Sequence, residues 1–222
     1  MDPSSARLIL LPGLGVDARL FTPLRASFGR LEVPPWLSPG DGEPLADFAE
    51  RMAGALDVAP GERFYLGGSS LGGMIALEMA RHRPPAAVFL IGSCRTSEAI
   101  WRPFAGWPSL VRAMPVGLFR FAPQLARLLK GRLGPIGDRQ WRLLVRMLAD
   151  ASPHFLRWGV GATLTWGGAP DVTAPVHHIH GQRDRLIPLR RVQPDEVVPG
   201  AGHVLALTRP DAVADFIARH IR

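Results

Sequence analysis

Residues 63–77, Arg63-Phe64-Tyr65-Leu66-Gly67-Gly68-Ser69-Ser70-Leu71-Gly72-Gly73-Met74-Ile75-Ala76-Leu77, pass from a short apolar run through glycines and two adjacent serines into a second apolar run. The first run has the length and aromatic content of a buried strand, and the second continues as an apolar helix. A strand that turns at once into a helix strains the backbone of the corner residue. The residues two before and two after it must then lack bulk for the flanking chains to pass. Gly68-Ser69-Ser70-Leu71-Gly72 meets that demand when centred on Ser70. Centred on Ser69 it needs glycine at 67 and 71, and Leu71 fails. Ser70 is therefore the candidate nucleophile, with the amides and dipole of the following helix favouring negative charge beside it. The same residues also fit a glycine-rich turn in which Ser70 is an ordinary helix cap, so the partners must decide.

A serine hydroxyl is a weak nucleophile until a base takes its proton, and that base is usually a histidine held in one tautomer by a carboxylate. His203, in Pro199-Gly200-Ala201-Gly202-His203-Val204, lies between the last expected strand and the last expected helix. Small residues on its amino side let the chain swing the imidazole toward the carboxyl edge of the sheet, where open parallel sheets keep their ligand sites. Asp184, in His180-Gly181-Gln182-Arg183-Asp184-Arg185-Leu186-Ile187-Pro188, follows the preceding strand and is the candidate carboxylate. An ion pair with Arg183 or Arg185 is its bland reading. Glu98 and Asp171 are alternatives, one after the wrong strand and one before a strand. Leu10-Leu11-Pro12-Gly13-Leu14-Gly15-Val16-Asp17 forms a flexible turn after the first strand. It can aim the Leu14 amide, with that of Leu71, at one oxyanion. A phosphate loop is disfavoured here, because neither G-x-G-x-x-G nor a P-loop lysine is present.

Short apolar runs alternate with helix-length stretches along the chain, the pattern of parallel strands joined by crossover helices. Strands are expected at Arg7 to Leu11, Leu31 to Val33, Phe64 to Leu66, Ala87 to Ile91, Val176 to His180 and Glu196 to Val198. Helices are expected at Asp17 to Phe28, Leu45 to Leu56, Leu71 to His82 and Pro210 to His220, with Asp17 and Thr208 as caps. Between Cys94 and about Gly168 the strand pattern stops. Residues 125–129 and 141–148 carry apolar side chains at helical spacing with Arg on the other face, so a helical insertion is expected there.

The 222 residues suit one domain, and a hydrophobic fraction of 47% suffices for a sizeable core. The first residues lack the basic start and apolar core of a signal peptide, and no window approaches the roughly 20 apolar residues of a membrane span. Cys94 is the lone cysteine, which excludes an internal disulfide and thiolate metal clusters. The expectation is a cytoplasmic protein with no integral membrane segment. The net charge of +7 is concentrated in residues 95–165, where ten Arg and Lys130 face Glu98, Asp138 and Asp150. Because all basic side chains but Lys130 are Arg throughout the chain, the excess reads as compositional habit, and no nucleic acid is expected.

A strand, a Ser70 elbow, then Asp184, then His203, with an oxyanion turn after the first strand, resembles the α/β-hydrolase family. The resemblance spans nearly the whole chain and is carried by LPGLG at 11–15, GSSLGG at 68–73, HGQRDRLIP at 180–188 and GAGHVLALTRPDAVADFI at 200–217. It implies the α/β-hydrolase fold, with a mostly parallel sheet of about six strands and helices on both faces. It also implies a core of residues 1–94 and 168–222, and a helical lid at 95–167 that holds the substrate pocket. Its site would be a Ser70, Asp184 and His203 triad with Leu14 and Leu71 supplying oxyanion amides. The chemistry implied is hydrolysis of a small-molecule carboxylic ester or thioester through an acyl-enzyme, with no cofactor. Lactone hydrolysis, C–C hydrolysis, perhydrolysis and lyase chemistry use the same triad, and a binding protein on a hydrolase scaffold is the reading from another class. Pro12 stands where many members carry a histidine. Val176-His177-His178-Ile179-His180 places His178 and His180 on one strand face, but no third ligand is evident, so half-buried imidazoles are expected and no metal.

Overall fold

The computed structural model describes residues 5–103 and 106–221. Six parallel strands, β1 Arg7–Leu11, β2 Arg30–Glu32, β3 Phe64–Ser69, β4 Val88–Ile91, β5 Val176–Gly181 and β6 Glu196–Val198, form one sheet in the order β2-β1-β3-β4-β5-β6. Their apolar runs are nearly unbroken because both faces are covered. Ile9, Leu11, Phe64, Leu66, Val88 and Leu90 point into one core beneath α1 (Leu45–Gly54) and α2 (Leu71–His82). Leu8, Leu10, Tyr65, Phe89 and Ile91 point into the other, beneath α8 (Pro210–His220). The chain leaves β1 for β2 on one side and returns to β3 on the other, so the sheet's switch point lies between β1 and β3. Crevices for ligands open at the carboxyl ends of such a pair.

The expected strands are all present, each within three residues of its expected ends. Residues 17–28 depart from expectation: instead of an α-helix, Ala18–Leu24 form a 3-10 helix that contains Pro23. Proline has no N–H to donate and its ring crowds the preceding turn, which keeps this segment from closing α-helical turns. Asp17 does cap it, accepting from Arg19 N at 2.9 Å. Thr208 is not a cap. It ends the short helix α7 (Leu205–Thr208), its hydroxyl donates back to Val204 O, and Arg209 stands at the N-cap of α8 with no side-chain capping bond.

Between β4 and β5 the described residues form helices and no strand: α3 Trp107–Ala113, α4 Ala122–Leu133, α5 Asp138–Asp150 and α6 Pro153–Thr165, with shorter 3-10 turns. The apolar stripe of α5 buries Leu144 and Met147. That of α4 does not: Leu125 and Leu129 are exposed, and Leu128 is 78% exposed. Two of the five tryptophans of this segment are buried in structural roles. Trp158 packs on Phe48 and donates to Glu43 O, while buried Trp166 donates to Glu78. Cys94 is a buried free thiol, pushed up to about 12 by desolvation.

Candidate active site

Ser70 stands at the switch point, between the end of β3 and the first residue of α2. Its φ is 53° and its ψ −121°, and it is the one non-glycine with positive φ among the described residues. Two bonds hold it there: Ser70 N donates to Ile91 O at 3.2 Å, and Ser93 Oγ donates to Ser70 O at 2.7 Å. The glycine spacing has a direct cause. A Cβ on Gly68 would overlap the backbone of Gly72 and Gly73, and one on Gly72 would overlap the carbonyls of Leu11 and Pro12. Strand β3, helix α2 and the turn after β1 thus meet backbone to backbone.

That turn lies against the elbow, since a Cβ on Gly13 would stand 3.4 Å from Ser70 Cβ. The side chains of Leu14 and Leu71 converge on the same spot of α6, at Gly159. Leu71 is the first residue of α2, so its amide has no intrahelical acceptor. Neither it nor the Leu14 amide donates to a protein acceptor among the described residues. Two N–H groups are thus without a protein acceptor, one next to Ser70 in the chain and one in the turn that packs on it.

Asp184 and His203 are both buried and joined: His203 Nδ1 lies 2.7 Å from Asp184 Oδ2. Nδ1 facing a carboxylate carries the ring proton, which leaves Nε2 unprotonated and able to act as a base. Oδ1 of Asp184 accepts from the amides of Leu186 and Ile187, each at 2.9 Å. Burial works to raise this carboxyl, but its attraction for a positive charge on the neighbouring His203 ring, together with the N–H groups of His180 and His203, outweighs it and holds it well below the usual carboxylate range. The His203 loop lies over the carboxyl end of β4, where Gly92 leaves room for the His203 carbonyl. It also receives α4, whose last carbonyl, Leu133 O, accepts from His203 N at 2.7 Å, while Arg132 O accepts from Arg185 N. No hydrogen bond links Ser70 Oγ to His203 among the described residues, and such bonds are often long until substrate arrives.

The alternatives lie elsewhere. Glu98 is exposed, and Asp171 is an exposed partner of Arg81 at 3.0 Å. His178 and His180 are fully buried rather than half-buried, their rings 3.1 Å apart through Nε2 and Nδ1. No cluster of three metal-ligating side chains occurs among the described residues. His180 was assigned no role from sequence, yet its Nε2 reaches Asp184 Oδ2 at 3.3 Å and Ile187 O at 2.8 Å. The tight turn Asp184 N to Gly181 O folds the carboxylate back over the strand end, and the His-Gly-x-x-Asp spacing was the available signal.

A cleft of about 230 Å³ opens beside the β1 turn, lined by Gly15, Val16, Trp36, Leu37, Met147 and Phe155 among others. A larger groove of about 560 Å³ between α4 and α5, lined by Arg127, Trp141, Arg142 and Arg146, shares no residue with the site. No helix of the described residues is long and apolar enough to cross a membrane.

Comparison with known proteins agrees with this architecture. An esterase from Thermogutta terrifontis superposes with a TM-score of 0.78 at 20% identity, over 97% of this chain and 89% of the other. A hydrolase from Oleispira antarctica gives 0.76 at 14%, over 97% and 90%. The N-acyl homoserine lactonase AidH gives 0.69 at 19%, over 98% and 88%. At such identities the likeness is one of fold alone. No curated protein matches the chain. The model of the alpha/beta hydrolase family, however, matches residues 8–216, nearly every residue from β1 to the end of α8, and the chain belongs to that family of hydrolases.

Proposed function

We propose that the chain is a serine hydrolase of small carboxylic esters or thioesters. The observation that carries the reading is the 2.7 Å bond from His203 Nδ1 to a buried, ionised Asp184, at the sheet edge where Ser70 stands on a strained elbow. Ser70 Oγ attacks the acyl carbonyl and His203 Nε2 takes its proton. Asp184 keeps the ring in the required tautomer and stabilises the imidazolium. The Leu14 and Leu71 amides receive the oxyanion, and loss of one such donor typically costs about 100- to 1000-fold in rate. His203 then protonates the leaving group, and water repeats the sequence on the acyl-enzyme. Every group this mechanism uses is a side chain or amide of the chain itself.

Residues 95–167 act as a lid over a core of 1–94 and 168–222. This rests on the contacts of α6 with Leu14 and Leu71 and of α4 with the His203 backbone. The cleft that begins at Gly15, next in the chain to Leu14, includes none of the triad residues and is small for a ligand site; a short acyl chain is what it would admit.

A fluorophosphonate probe tests the nucleophile: it labels the wild type and not Ser70→Ala. Equal labelling of both, or none of the folded wild type, removes the assignment. Across p-nitrophenyl esters, kcat/KM is expected to peak at acetate to butyrate and fall by octanoate. Inactivity on esters, thioesters and lactones alike would favour a binding protein.

A further inference from the structure

We infer that His180 is a positioning residue of the site, a second imidazole N–H on Asp184 that locks the carboxylate against His203. The inference rests on the triad reading above. His180 sits wholly buried near the end of β5, four residues before Asp184. Its Nε2 faces two groups that only accept, Ile187 O at 2.8 Å and Asp184 Oδ2 at 3.3 Å, so that nitrogen carries a hydrogen, which it donates to Ile187 O with the carboxylate beside it. Its Nδ1 lies 3.1 Å from His178 Nε2, so the two buried rings are hydrogen-bonded to each other. Burial above all pushes His178 down to about 3, so that ring is neutral, and it is also hydrogen-bonded to the Ser93 backbone. His180 thus stands between a neutral imidazole on one side and Asp184 on the other, with His203 on the far side of the carboxylate.

The consequence lies in how many partners hold the carboxylate. Oδ1 is taken by the amides of Leu186 and Ile187, and Oδ2 by His203 and His180. Three N–H groups and the adjacent His180 ring hold both oxygens of the carboxylate, which fixes the direction in which Oδ2 meets His203 Nδ1. A central strand ordinarily fills such positions with Val, Ile or Leu, and two buried imidazoles are costly unless their ring nitrogens are used. Here the nitrogen at the end of the pair lies between the Ile187 carbonyl and the carboxylate of the site.

The test uses the full chain and p-nitrophenyl butyrate. His180→Leu is expected to lower kcat about 10-fold with KM within about 2-fold, because the lost contact acts through Asp184 and not on the substrate. His180→Gln presents an amide N–H where Nε2 stood and is expected to recover most of the loss. In an Asp184→Ala background, His180→Leu is expected to add nothing, since the group it acts through is gone. Wild-type kcat in folded His180→Leu overturns the inference. So do equal losses in Leu and Gln variants, or losses that multiply in the double variant. If His180→Leu fails to fold, His180→Asn replaces it. Its shorter amide does not reach Oδ2, so kcat matching His180→Gln overturns the inference and kcat about 10-fold lower supports it. Asp184→Ala separates the two levels: wild-type activity there removes the triad reading itself, whereas a collapse alongside wild-type activity in His180→Leu removes only the role of His180.

Discussion

At Ser70 the chain holds a φ of 53° that a residue with a Cβ resists, and backbone in such regions costs on the order of 1–3 kcal/mol. The strain is imposed by neighbours: β3 on one side, the first turn of α2 on the other, and the Ser93 hydroxyl on its carbonyl. Removing the hydroxyl alone does not relieve it, whereas removing the Cβ does. Ser70→Gly is therefore expected to melt above Ser70→Ala by about 2–4 °C, corresponding to about 1 kcal/mol, even though both lack the proposed nucleophile. Scanning calorimetry of the two variants checks this, and equal or reversed melting temperatures would sink the strain argument. The strain was legible in the sequence because only glycines at 68 and 72 admit it. Asp184 and His203 were legible because each follows a strand at the carboxyl edge. His180 was not, because strand alternation says which face a side chain takes and not what a later turn brings over that face. The contact depends on a reversal between Gly181 and Asp184 that no periodicity reports.

Among the elements, the strands were read closely because burial on both faces leaves unbroken apolar runs with few competing interpretations. Segments with mixed signals were read less well. In residues 17–28 the helical spacing was present, but Pro23 turned it into a 3-10 helix. In α4 the helical spacing is present, yet Leu125, Leu128 and Leu129 face outward, and the helix is tied to the rest through Lys130 over Trp141 and through its C-terminal end. That end is Leu133-Gly134, whose backbone meets the site loop so closely that Leu133 O accepts from His203 N. A Cβ on Gly202 would overlap Leu133 O and stand 2.9 Å from Gly134 Cα. Gly202→Ala must therefore push the end of α4 off the His203 loop or displace His203 from Asp184. Either movement misplaces the base, and a shift of about 1 Å typically costs about 100-fold. The expected outcome is a fall in kcat of that order, with α4 cut earlier in limited proteolysis. Wild-type kcat and an unchanged cleavage pattern in Gly202→Ala would show that this junction does not position the site.

Taken as a whole, the molecule stores two buried groups whose protonation differs between folded and unfolded states, and both make it sensitive to acid. His178 falls from an ordinary 6.5 to about 3 on folding, chiefly through desolvation. Between those values the unfolded chain binds a proton that the native chain refuses, so stability rises with pH across that window and is lost as pH falls through it. Asp184 behaves as a depressed carboxylate: its contribution is present above its unfolded value and is lost only on further acidification, below about 4. The windows are separable because His178 acts first. At pH 4.5 it has removed on the order of 2 kcal/mol, while Asp184 remains ionised in both states. His178→Gln keeps a polar amide beside His180 Nδ1 and does not titrate. Relative to the wild type, its melting temperature is expected to fall less between pH 7 and pH 4.5, the difference reaching about 4–8 °C there, and only below about pH 3 should the two decline together. The shared excess of positive charge cannot produce this difference, since it is nearly the same in both proteins across the range. Parallel melting curves from pH 7 to 4.5 would mean that His178 is charged, or open to water, in the folded protein, and the neutral imidazole behind His180 would be lost from the account.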